Sequence, residues 1–279
     1  MKAIAIDLDG TALTHGGVFS SHLNDVLNKL HDRGLKIIIA TGRSMKSLGT
    51  KIPDTLKVDG YVAASGVRVQ TPEAILESHV FSEDTAHYIL NLARKHKMYY
   101  EINTETDGPF TFKQDREYIL KDLLSDPGES VYGYELIGIE RTLKSKKQWV
   151  EHVDMAKTIK FYFFSMDAEK ISNFYNVLDK NKDEKYALYQ TAPHNSETMV
   201  SGVDKGTGLE TLLDHLGISF DDLHVFGDSM NDTPMFLRAG KKTAMKNATD
   251  ELKSIADDVT QFSCDDDGLA KYLENHYLK

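Results

Sequence analysis

The sequence predicts an α/β protein, in which a Rossmann-like, doubly wound parallel sheet is interrupted by an inserted α+β domain. Residues 3–8 and 35–40 are short runs that are apolar on both faces, as is typical of parallel strands covered by helices on both sides. Residues 23–33 between them carry apolar side chains at helical spacing, and Gly34 stands where a helix typically ends. Residues 60–64 continue the alternation as a third strand, which favours a doubly wound core.

The middle of the chain follows a different pattern. From about residue 83, aromatic residues are dense and the expected strands alternate polar and apolar positions. The segment 160–165, Lys-Phe-Tyr-Phe-Phe-Ser, is the strongest strand signal of the chain, whereas 85–96 and 168–179 fit helices. An antiparallel sheet with helices on one face explains this alternation, with 187–190 as its last strand.

The pattern of the first segment returns in the last third of the chain. Residues 208–216 fit a helix, and 223–226 form another short apolar run. We therefore expect a split core formed by residues 1–82 and 194–279, with an inserted domain formed by residues 83–193.

The composition limits the functions open to the chain. Its 279 residues carry a formal net charge of −10, and proteins that bind nucleic acid usually present a basic face, so we expect no nucleic-acid partner. No stretch approaches the roughly 20 apolar residues that span a bilayer, so we expect no membrane association. The single cysteine, Cys264, cannot form an internal disulfide, which favours a reducing cytoplasm.

Two carboxylates follow the first predicted strand. Asp7 and Asp9 belong to the segment Asp-Leu-Asp-Gly-Thr, and residues i and i+2 of a strand point the same way. Ligands of open α/β sheets bind beyond the carboxyl ends of the strands, and Gly10 allows a sharp turn there. One carboxylate can attack phosphorus while the other moves protons; the alternative is an ordinary Asp-Gly turn.

Two further segments carry groups that bind phosphate. Thr41-Gly42-Arg43 follows the second strand, where a hydroxyl and free backbone amides at a helix start bind phosphate oxygens. Arg43 either adds a charge there or holds a structural carboxylate. Lys205 stands between glycines before a helix, where an ammonium group can neutralise a phosphoryl oxygen or a carboxylate; the alternative is a surface lysine.

The strand at 223–226 is followed by candidate metal ligands. Asp228, Asn231 and Asp232 lie just beyond its carboxyl end. Oxygen ligands that leave positions open for water suit Mg²⁺, so Asp228 and Asp232 are candidates for holding it. The alternative for Asp232 is that it only caps the next helix.

These residues also answer the problem that an acidic protein faces in binding an anion. Such a protein needs concentrated positive charge at its site. Mg²⁺ and Lys205 would offset the repulsion among the carboxylates in one cleft and leave room for a phosphate dianion. The carboxylates concerned are Asp7, Asp9, Asp228 and Asp232.

In order and approximate spacing, the segments resemble the four motifs of the haloacid dehalogenase superfamily of phosphatases. The motifs are Asp7-Leu8-Asp9-Gly10-Thr11, Thr41-Gly42-Arg43, Lys205, and Gly227-Asp228 with Asn231-Asp232. Segments 239–248, 256–260 and 267–270 narrow the resemblance to the Cof-type sugar-phosphatase branch. That branch carries a large α/β cap between its second and third motifs, and the insert here matches the cap in position and length.

The resemblance implies a role for each motif residue. Asp7 would be the nucleophile and a Mg²⁺ ligand, Asp9 the general acid and base whose backbone carbonyl also touches the metal, and Asp228 the remaining protein ligand. The catalytic set would also include Thr41 and Lys205. The phosphoryl group would be held by Leu8, Thr41, Gly42, Lys205 and Asn231. The resemblance also implies four residues that support these groups or contact the substrate: Arg43, Ser65, Gly66 and Asp232. Asp232 would orient Lys205 or metal-bound water.

Two positions depart from the branch's pattern. Ser65, in Ala64-Ser65-Gly66, stands where the branch usually has asparagine, and its shorter side chain could change how the leaving group is held. Lys246 stands where glycine is usual, and we expect it to point into solvent.

The resulting expectation is a Mg²⁺-dependent phosphatase, acting through a phosphoaspartate on a small phosphorylated metabolite such as a sugar phosphate. The inserted domain would close over the cleft and contact the leaving group. The alternatives are a phosphomutase of the same superfamily and an inactive binding or regulatory protein on this scaffold. A flavodoxin-like redox protein is disfavoured because no dinucleotide glycine fingerprint follows the first strand. Nothing in the sequence requires a dimer, so we expect a monomer.

The remaining polar groups give no sign of a second metal site. The eleven histidines include no pair at metal-site spacing beside a further ligand. Residues 265–267 are consecutive aspartates, whose side chains do not converge, so we expect them to face solvent. Acidic neighbours should raise the pKa of Cys264, which argues against a reactive thiolate.

Overall fold

A computed structural model of the chain describes residues 1–126, 130–131, 133–145, 147–190 and 192–279. The chain divides into two compact units: Met1–Ser78 with Val203–Lys279, and His79–Gly202. The predicted junctions at 82/83 and 193/194 therefore shift to 78/79 and 202/203. The second junction moves because the strand Asn195–Met199, expected in the core, pairs with Thr158–Phe164 of the insert.

Strands and helices are numbered in chain order. The strands are β1 (Ala3–Ile6), β2 (Lys36–Ala40), β3 (Gly60–Ala63), β4 (Arg68–Gln70), β5 (Ile75–Ser78), β6 (Tyr99–Thr104), β7 (Thr111–Phe112), β8 (Trp149–Val150), β9 (Thr158–Phe164), β10 (Ala187–Tyr189), β11 (Asn195–Met199), β12 (Leu223–Gly227), β13 (Lys241–Ala244) and β14 (Asp258–Val259). The helices are α1 (Ser21–Asp32), α2 (Met45–Leu48), α3 (Glu83–Lys95), α4 (Arg116–Leu123), α5 (Gly133–Lys144), α6 (Ala168–Lys180), α7 (Lys205–Leu216), α8 (Thr233–Phe236), α9 (Asp250–Ser254) and α10 (Gly268–Leu273).

The first unit is built on an eight-stranded sheet with the order β14-β13-β12-β1-β2-β3-β4-β5. The pairs from β14 to β3 are parallel, and β4 and β5 are added antiparallel at one edge. The predicted α/β fold class is confirmed, with this antiparallel edge as a refinement. Because β12, β1 and β2 are adjacent and parallel, their carboxyl ends, and the residues that follow them, meet at one edge of the sheet.

Burial explains why β1 lies at the centre of this sheet. Each of its four residues is fully buried, and Ile4 pairs with His224 on one side and Ile37 on the other. Helix α1 packs Leu23, Val26, Leu27 and Leu30 into the same core, and the Ser20 side chain accepts a hydrogen bond from the backbone N–H of Leu23 to cap its first turn.

The second unit contains the antiparallel sheet that the sequence predicts, with the order β10-β11-β9-β6. Tyr100, Ile102, Phe161 and Phe163 form one buried face with residues of α3 and α6, and the rings of Phe163 and Phe174 lie 5.0 Å apart. The opposite face borders a cavity of about 340 Å³ within this unit. That face carries Glu101, Asn103, Lys160, Tyr162 and Glu197.

Several elements have no clear sequence signal. Strand β11 reads Asn-Ser-Glu-Thr-Met, a polar segment without apolar alternation, although Asn195, Ser196 and Thr198 are buried. The strands β4, β5, β13 and β14 are two to four residues long, too short for a periodic pattern. In the part of the chain that the structure describes, no helix is long and apolar enough to cross a membrane.

The buried His224 predicts a specific form of acid sensitivity. Its Nδ1 lies 2.7 Å from the Tyr277 hydroxyl and its Nε2 lies 2.8 Å from Thr243 Oγ1. Burial, with a smaller effect of Lys241, lowers the pKa of His224 from 6.5 to about 3. Between these two values the unfolded chain binds the proton and the folded chain does not. The free energy of unfolding should therefore decrease as the pH is lowered from about 6.5 to about 3, by up to about 1.4 kcal/mol per pH unit.

Urea unfolding between pH 7 and 4 measures this slope. The His224→Gln variant should show a shallower slope than the wild type, whereas a variant of the exposed His215, His215→Gln, should retain it. An unchanged slope in His224→Gln would assign the acid sensitivity to other groups.

Candidate active site

The carboxylate of Asp7 lies buried at the carboxyl end of β1. Its backbone N–H donates to the carbonyl of Phe226 at 3.0 Å, which extends the pairing of β1 with β12 by one residue. The residue is 4% exposed, and its Oδ1 accepts a hydrogen bond from Lys205 Nζ at 2.6 Å. The structure thus joins the residue predicted as nucleophile to the lysine predicted to neutralise it.

Lys205 is fully buried at the first position of α7. A capping box places it there, in which the Asp204 side chain accepts the Thr207 N–H at 2.8 Å and Thr207 Oγ1 accepts the Asp204 N–H at 2.9 Å. Its Nζ donates to Asp7 Oδ1 and to Asp232 Oδ1, both at 2.6 Å. Burial alone disfavours the ammonium form, but Asp232 and Asp7 outweigh it and raise the pKa of Lys205. The side chain is therefore a fixed cation.

Asp232 supports this lysine from behind. Its Oδ1 accepts from Lys205, and its Oδ2 accepts the backbone N–H groups of Asp228 at 3.0 Å and Ser229 at 3.2 Å. Its side chain makes no cap hydrogen bond to α8, so the interpretation of Asp232 as only a helix cap is wrong. The residue instead ties the turn after β12 to the start of α7.

Asp7, Asp228 and Asp232 form an acidic cluster suited to a cation. One oxygen from each carboxylate lies within 4.8 Å of the others. Burial raises the pKa of Asp7 to about 8 despite the opposing effect of Lys205. Burial, together with the charge of Asp232, raises the pKa of Asp228 to about 6. Buried oxygen donors with excess negative charge fit a hard divalent cation.

The side chain of Asp9 lies outside this cluster. It is 55% exposed and forms a two-point ion pair with Arg43, in which Nε donates to Oδ2 at 2.7 Å and Nη2 donates to Oδ1 at 2.6 Å. Arg43 Nη1 also donates to Ser47 Oγ at 3.1 Å, and the hydrogen bonds that Arg43 donates to Asp9 raise the pKa of Arg43. The sequence left two roles for Arg43: adding a positive charge to the phosphate site, or holding a carboxylate. The structure shows the second role, with Asp9 as the carboxylate.

Gly42, Ser65 and Asn231 are neighbours in the structure. A Cβ atom added to Gly42 would lie 3.5 Å from Ser65 Oγ and 3.9 Å from Asn231 Nδ2. The neighbouring Thr41 is buried, and its Oγ1 accepts the Arg43 N–H at 3.1 Å. Ser65 has a left-handed backbone with φ of 56°, held by its N–H donating to the Thr41 carbonyl at 2.9 Å. The structure thus brings Thr41, Gly42 and Asn231, three residues predicted to hold the phosphoryl group, close to Ser65.

Gly10 and Gly66 meet strict backbone requirements. Gly10 has φ of +79°, and a Cβ atom there would lie 2.4 Å from Asp228 Oδ2. Gly66 has φ of +99°, and a Cβ atom there would lie 2.1 Å from the carbonyl oxygen of Asp204, next to Lys205. A larger residue at Gly10 would displace the Asp228 carboxylate, and one at Gly66 would displace the backbone of Asp204, so both positions require glycine.

Two contacts of the site had no assignment from the sequence. Thr11 Oγ1 donates to Asp228 Oδ1 at 3.3 Å. Asn247 Nδ2 donates to the Gly10 carbonyl at 2.8 Å. Thr11 lies in the first motif and Asn247 in the C-terminal stretch that carries the family resemblance, but neither position by itself indicates its partner. Lys246, beside Asn247, is exposed as expected.

The backbone of Leu8 turns the chain between Asp7 and Asp9. Its carbonyl accepts the N–H groups of Thr11 at 3.2 Å and Leu13 at 2.7 Å, and its side chain is fully buried. The predicted contact of Leu8 with the phosphoryl group stays a prediction, as do the chemical roles of the other motif residues.

Comparison with known proteins defines the class. The sequence profile of the haloacid dehalogenase-like hydrolases matches residues 4–273. Two proteins of Bacillus subtilis (strain 168) are each 28% identical to the chain. One is 5-amino-6-(5-phospho-D-ribitylamino)uracil phosphatase YwtE, aligned over 98% of this chain and 97% of its own length, and the other is phosphatase YwpJ, aligned over 99% of each.

Solved structures share the fold. A Thermotoga maritima protein superposes with a TM-score of 0.79 at 21% identity, covering 98% of this chain and 97% of that chain. A haloacid dehalogenase-like hydrolase from B. subtilis has a TM-score of 0.74 at 25% identity, covering 99% of this chain and 100% of that chain.

The chain therefore belongs to the haloacid dehalogenase-like hydrolase family, which confirms the resemblance seen in the motifs. The predicted enzyme class, a phosphatase among the hydrolases, is confirmed as well.

The buried ion pairs of Lys205 predict a large loss of stability when the ammonium group is removed. The Lys205→Met variant would leave Asp7 and Asp232 facing each other without their shared cation, which we expect to cost about 3–5 kcal/mol in the free energy of unfolding. Urea unfolding at pH 7 in chelator measures this change. The exposed Lys246→Met should stay within about 0.5 kcal/mol of the wild type. Equal stability of the two variants would contradict the pairing.

Proposed function

We propose that this enzyme is a Mg²⁺-dependent phosphatase that transfers the phosphoryl group of a small phosphomonoester first to Asp7 and then to water. The observation that carries the proposal is the arrangement around Asp7. A buried carboxylate shares a fixed ammonium group with Asp232 and lies in one cluster with Asp228. This arrangement supports nucleophilic catalysis, because a buried carboxylate next to positive charge is placed to attack an electron-poor phosphorus.

In the first step, the Asp7 carboxylate attacks phosphorus. Lys205 holds Oδ1, so Oδ2 is the attacking oxygen in this proposal. A new O–P bond forms and the ester P–O bond breaks, which leaves an alkoxide and a phosphoaspartate. Lys205 remains within reach of the oxygens whose negative charge grows during the transfer.

Asp9 moves the protons. Its protonated form gives a proton to the leaving alkoxide, and its carboxylate then takes a proton from the water that hydrolyses the phosphoaspartate. Its exposure of 55% is consistent with a group that meets solvent and leaving group. Asp9 must leave its two-point pair with Arg43 to act as the acid, so Arg43 is a positioning residue that holds Asp9 between turnovers.

The donors present fit Mg²⁺. Asp7, Asp228 and the backbone carbonyl of Asp9 would hold it, with Asp232 and Thr11 orienting these ligands. When bound, the ion would supply electrophilic stabilisation of charge on the phosphoryl oxygens. The phosphoryl group itself would be held by Thr41, Gly42, Lys205, Asn231 and the backbone of Leu8.

For the substrate we propose a phosphorylated sugar or polyol, with the inserted domain contacting the part of the molecule beyond the phosphate. The name of the B. subtilis relative, a phosphatase of a phosphoribitylamino compound, supports this class at 28% identity.

Phosphate release from a panel of esters tests the reaction. The panel should include sugar phosphates, polyol phosphates, 5-amino-6-(5-phospho-D-ribitylamino)uracil, flavin mononucleotide and pyridoxal phosphate, each with Mg²⁺ and with chelator. We expect Mg²⁺-dependent release, which Asp7→Asn lowers at least about a thousandfold while the fold stays intact. The exposed Asp54→Asn serves as the matched control and should retain full activity.

Other outcomes would redirect the proposal. An Asp7→Asn protein that keeps most of the activity would remove the covalent mechanism. Isomer formation without phosphate release would identify a phosphomutase. A folded, Mg²⁺-binding protein without either reaction would identify a binding or regulatory role.

Cation binding predicts a stability change that is independent of turnover. The folded-state pKa of Asp228 is raised above its ordinary value of 3.8 to about 6, so this carboxylate destabilises the metal-free fold increasingly as pH rises through that range. At pH 8 without Mg²⁺, Asp228→Asn should therefore unfold at a higher temperature than the wild type. Saturating Mg²⁺ should stabilise the wild type, by about 2.7 kcal/mol at 100 times its Kd, and leave the variant unchanged.

Thermal unfolding in chelator and in Mg²⁺ measures both effects. An Asp221→Asn variant, altered at an exposed aspartate outside the cluster, should respond to Mg²⁺ like the wild type. Equal Mg²⁺ stabilisation of Asp228→Asn and the wild type would show that Asp228 is not a ligand.

A further inference from the structure

A second group of metal-binding atoms lies apart from the acidic cluster of Asp7. His15 Nδ1 lies 2.6 Å from Asp265 Oδ2 and 3.5 Å from Cys264 Sγ. One potential ligand atom from each of the three residues lies within 4.8 Å of the other two. All three residues belong to the first compact unit, and the catalytic scheme above uses none of them.

The chain brings these atoms together from its two ends. His15 lies in a hairpin closed by the bridge between Leu13 and Phe19 and by the Thr14 N–H donating to the Val18 carbonyl at 3.0 Å. Cys264 and Asp265 lie in the helical turn Cys264–Asp266. Consecutive aspartates at 265–267 gave no sign of a metal site in the sequence, because the third donor, His15, lies 249 positions before Cys264.

The kinds of donor atom point to a particular class of cation. Imidazole nitrogen, thiolate sulfur and carboxylate oxygen are the three ligand types that bind Zn²⁺, whereas Mg²⁺ prefers oxygen alone. We infer that His15, Cys264 and Asp265 form a three-ligand site for a thiophilic divalent cation of the zinc class. Its fourth position is open to water, because the side chains of His15 and Asp265 are 64% and 49% exposed while Cys264 is only 5% exposed.

Two of the three donor separations, those from His15 Nδ1 to Cys264 and to Asp265, need little change to accept the ion. Zinc–ligand bonds of about 2.0–2.3 Å in a tetrahedron separate an imidazole nitrogen and a thiolate sulfur by roughly 3.5 Å, the separation found between His15 and Cys264. The His15–Asp265 hydrogen bond must open by less than about 1 Å. Asp265 Oδ1 meanwhile accepts the backbone N–H of His15 at 2.9 Å, so the two segments stay joined.

The surroundings also hold the sulfur in place. The backbone N–H of Cys264 donates to Asn247 Oδ1 at 2.9 Å, and Asn247 Nδ2 donates to the Gly10 carbonyl at 2.8 Å. Partners that fix the position of a ligand raise the affinity of a metal site. The Cys264 backbone is thus held by a residue that also contacts the loop of the first motif.

Binding replaces protons and changes no oxidation state. The thiol of Cys264 and, when protonated, Nδ1 of His15 give their protons to solvent as the sulfur–metal and nitrogen–metal bonds form. Burial and the charge of Asp265 raise the pKa of Cys264, and the hydrogen bond that the Asp265 carboxylate accepts from His15 raises the pKa of His15. The incoming ion must therefore compete with protons.

Titration with Co²⁺, a spectroscopic substitute for Zn²⁺, tests the inference without relying on catalysis. Because the chain has a single cysteine, a sulfur-to-cobalt charge-transfer band in the near ultraviolet reports Cys264 alone. The full-length wild type should develop this band, Zn²⁺ should abolish it and excess Mg²⁺ should not. Cys264→Ser should lack the band, and His15→Ala and Asp265→Asn should each weaken Co²⁺ binding at least about tenfold.

His22→Ala is the matched control. His22 is a partly exposed histidine 3.7 Å from Asp267 and 3.6 Å from Glu274, and it lies outside the cluster, so this variant should bind Co²⁺ like the wild type. Circular dichroism confirms folding of each variant. The inference is overturned if folded wild type gives no sulfur–cobalt band, if Mg²⁺ removes the band, or if His15→Ala and Asp265→Asn leave the affinity unchanged.

Discussion

The hydrogen bonds from the buried ammonium of Lys205 to Asp7 and Asp232 are the interaction on which the rest of the site depends. These residues follow β1, begin α7 and follow β12, so the pairing forms only when both segments of the first unit have folded. Removal of any one of these three groups leaves the others without a partner in a medium that solvates charge poorly. The site therefore assembles with the sheet, and its geometry is set by the strand order β12-β1-β2.

The parallel sheet explains why so much of the site could be predicted. Each motif directly follows, or lies beside, a buried apolar strand, and adjacent parallel strands bring their carboxyl ends to one edge. Local sequence thus indicated the positions of Asp7, Thr41 and Asp228. The capping box that sets Lys205 at the start of α7 is equally local, because Asp204 and Thr207 form it three residues apart.

The features that could not be predicted depend on partners far apart in the chain. The carboxylate that Arg43 holds is Asp9, because the loops after β1 and β2 turn toward each other, and the spacing of residues in the sequence does not indicate this turn. His15 and Cys264 likewise meet through two segments that are far apart in the chain, the hairpin after β1 and the helical turn after β14. Strand β11 was not predicted because its buried positions are polar. It belongs to the insert because it pairs with β9, and no apolar pattern in the sequence indicates this pairing. Periodicity in the sequence indicates which apolar side chains are buried. It does not indicate polar contacts between distant segments or a buried polar strand.

Charge balance links the acidic composition to the proposed chemistry. Around the site, four carboxylates face two cationic side chains, and each cation is already paired with at least one carboxylate: Lys205 with Asp7 and Asp232, and Arg43 with Asp9. No positive charge is left over in this group for a phosphate dianion. Without a cation, burial, together with the charges of Asp232 and Asp228, raises the pKa of Asp7 to about 8 despite the opposing effect of Lys205, which favours a protonated Asp7. A protonated Asp7 is a poor nucleophile, so a divalent cation would serve two needs at once: it would keep Asp7 ionised and admit the anionic substrate.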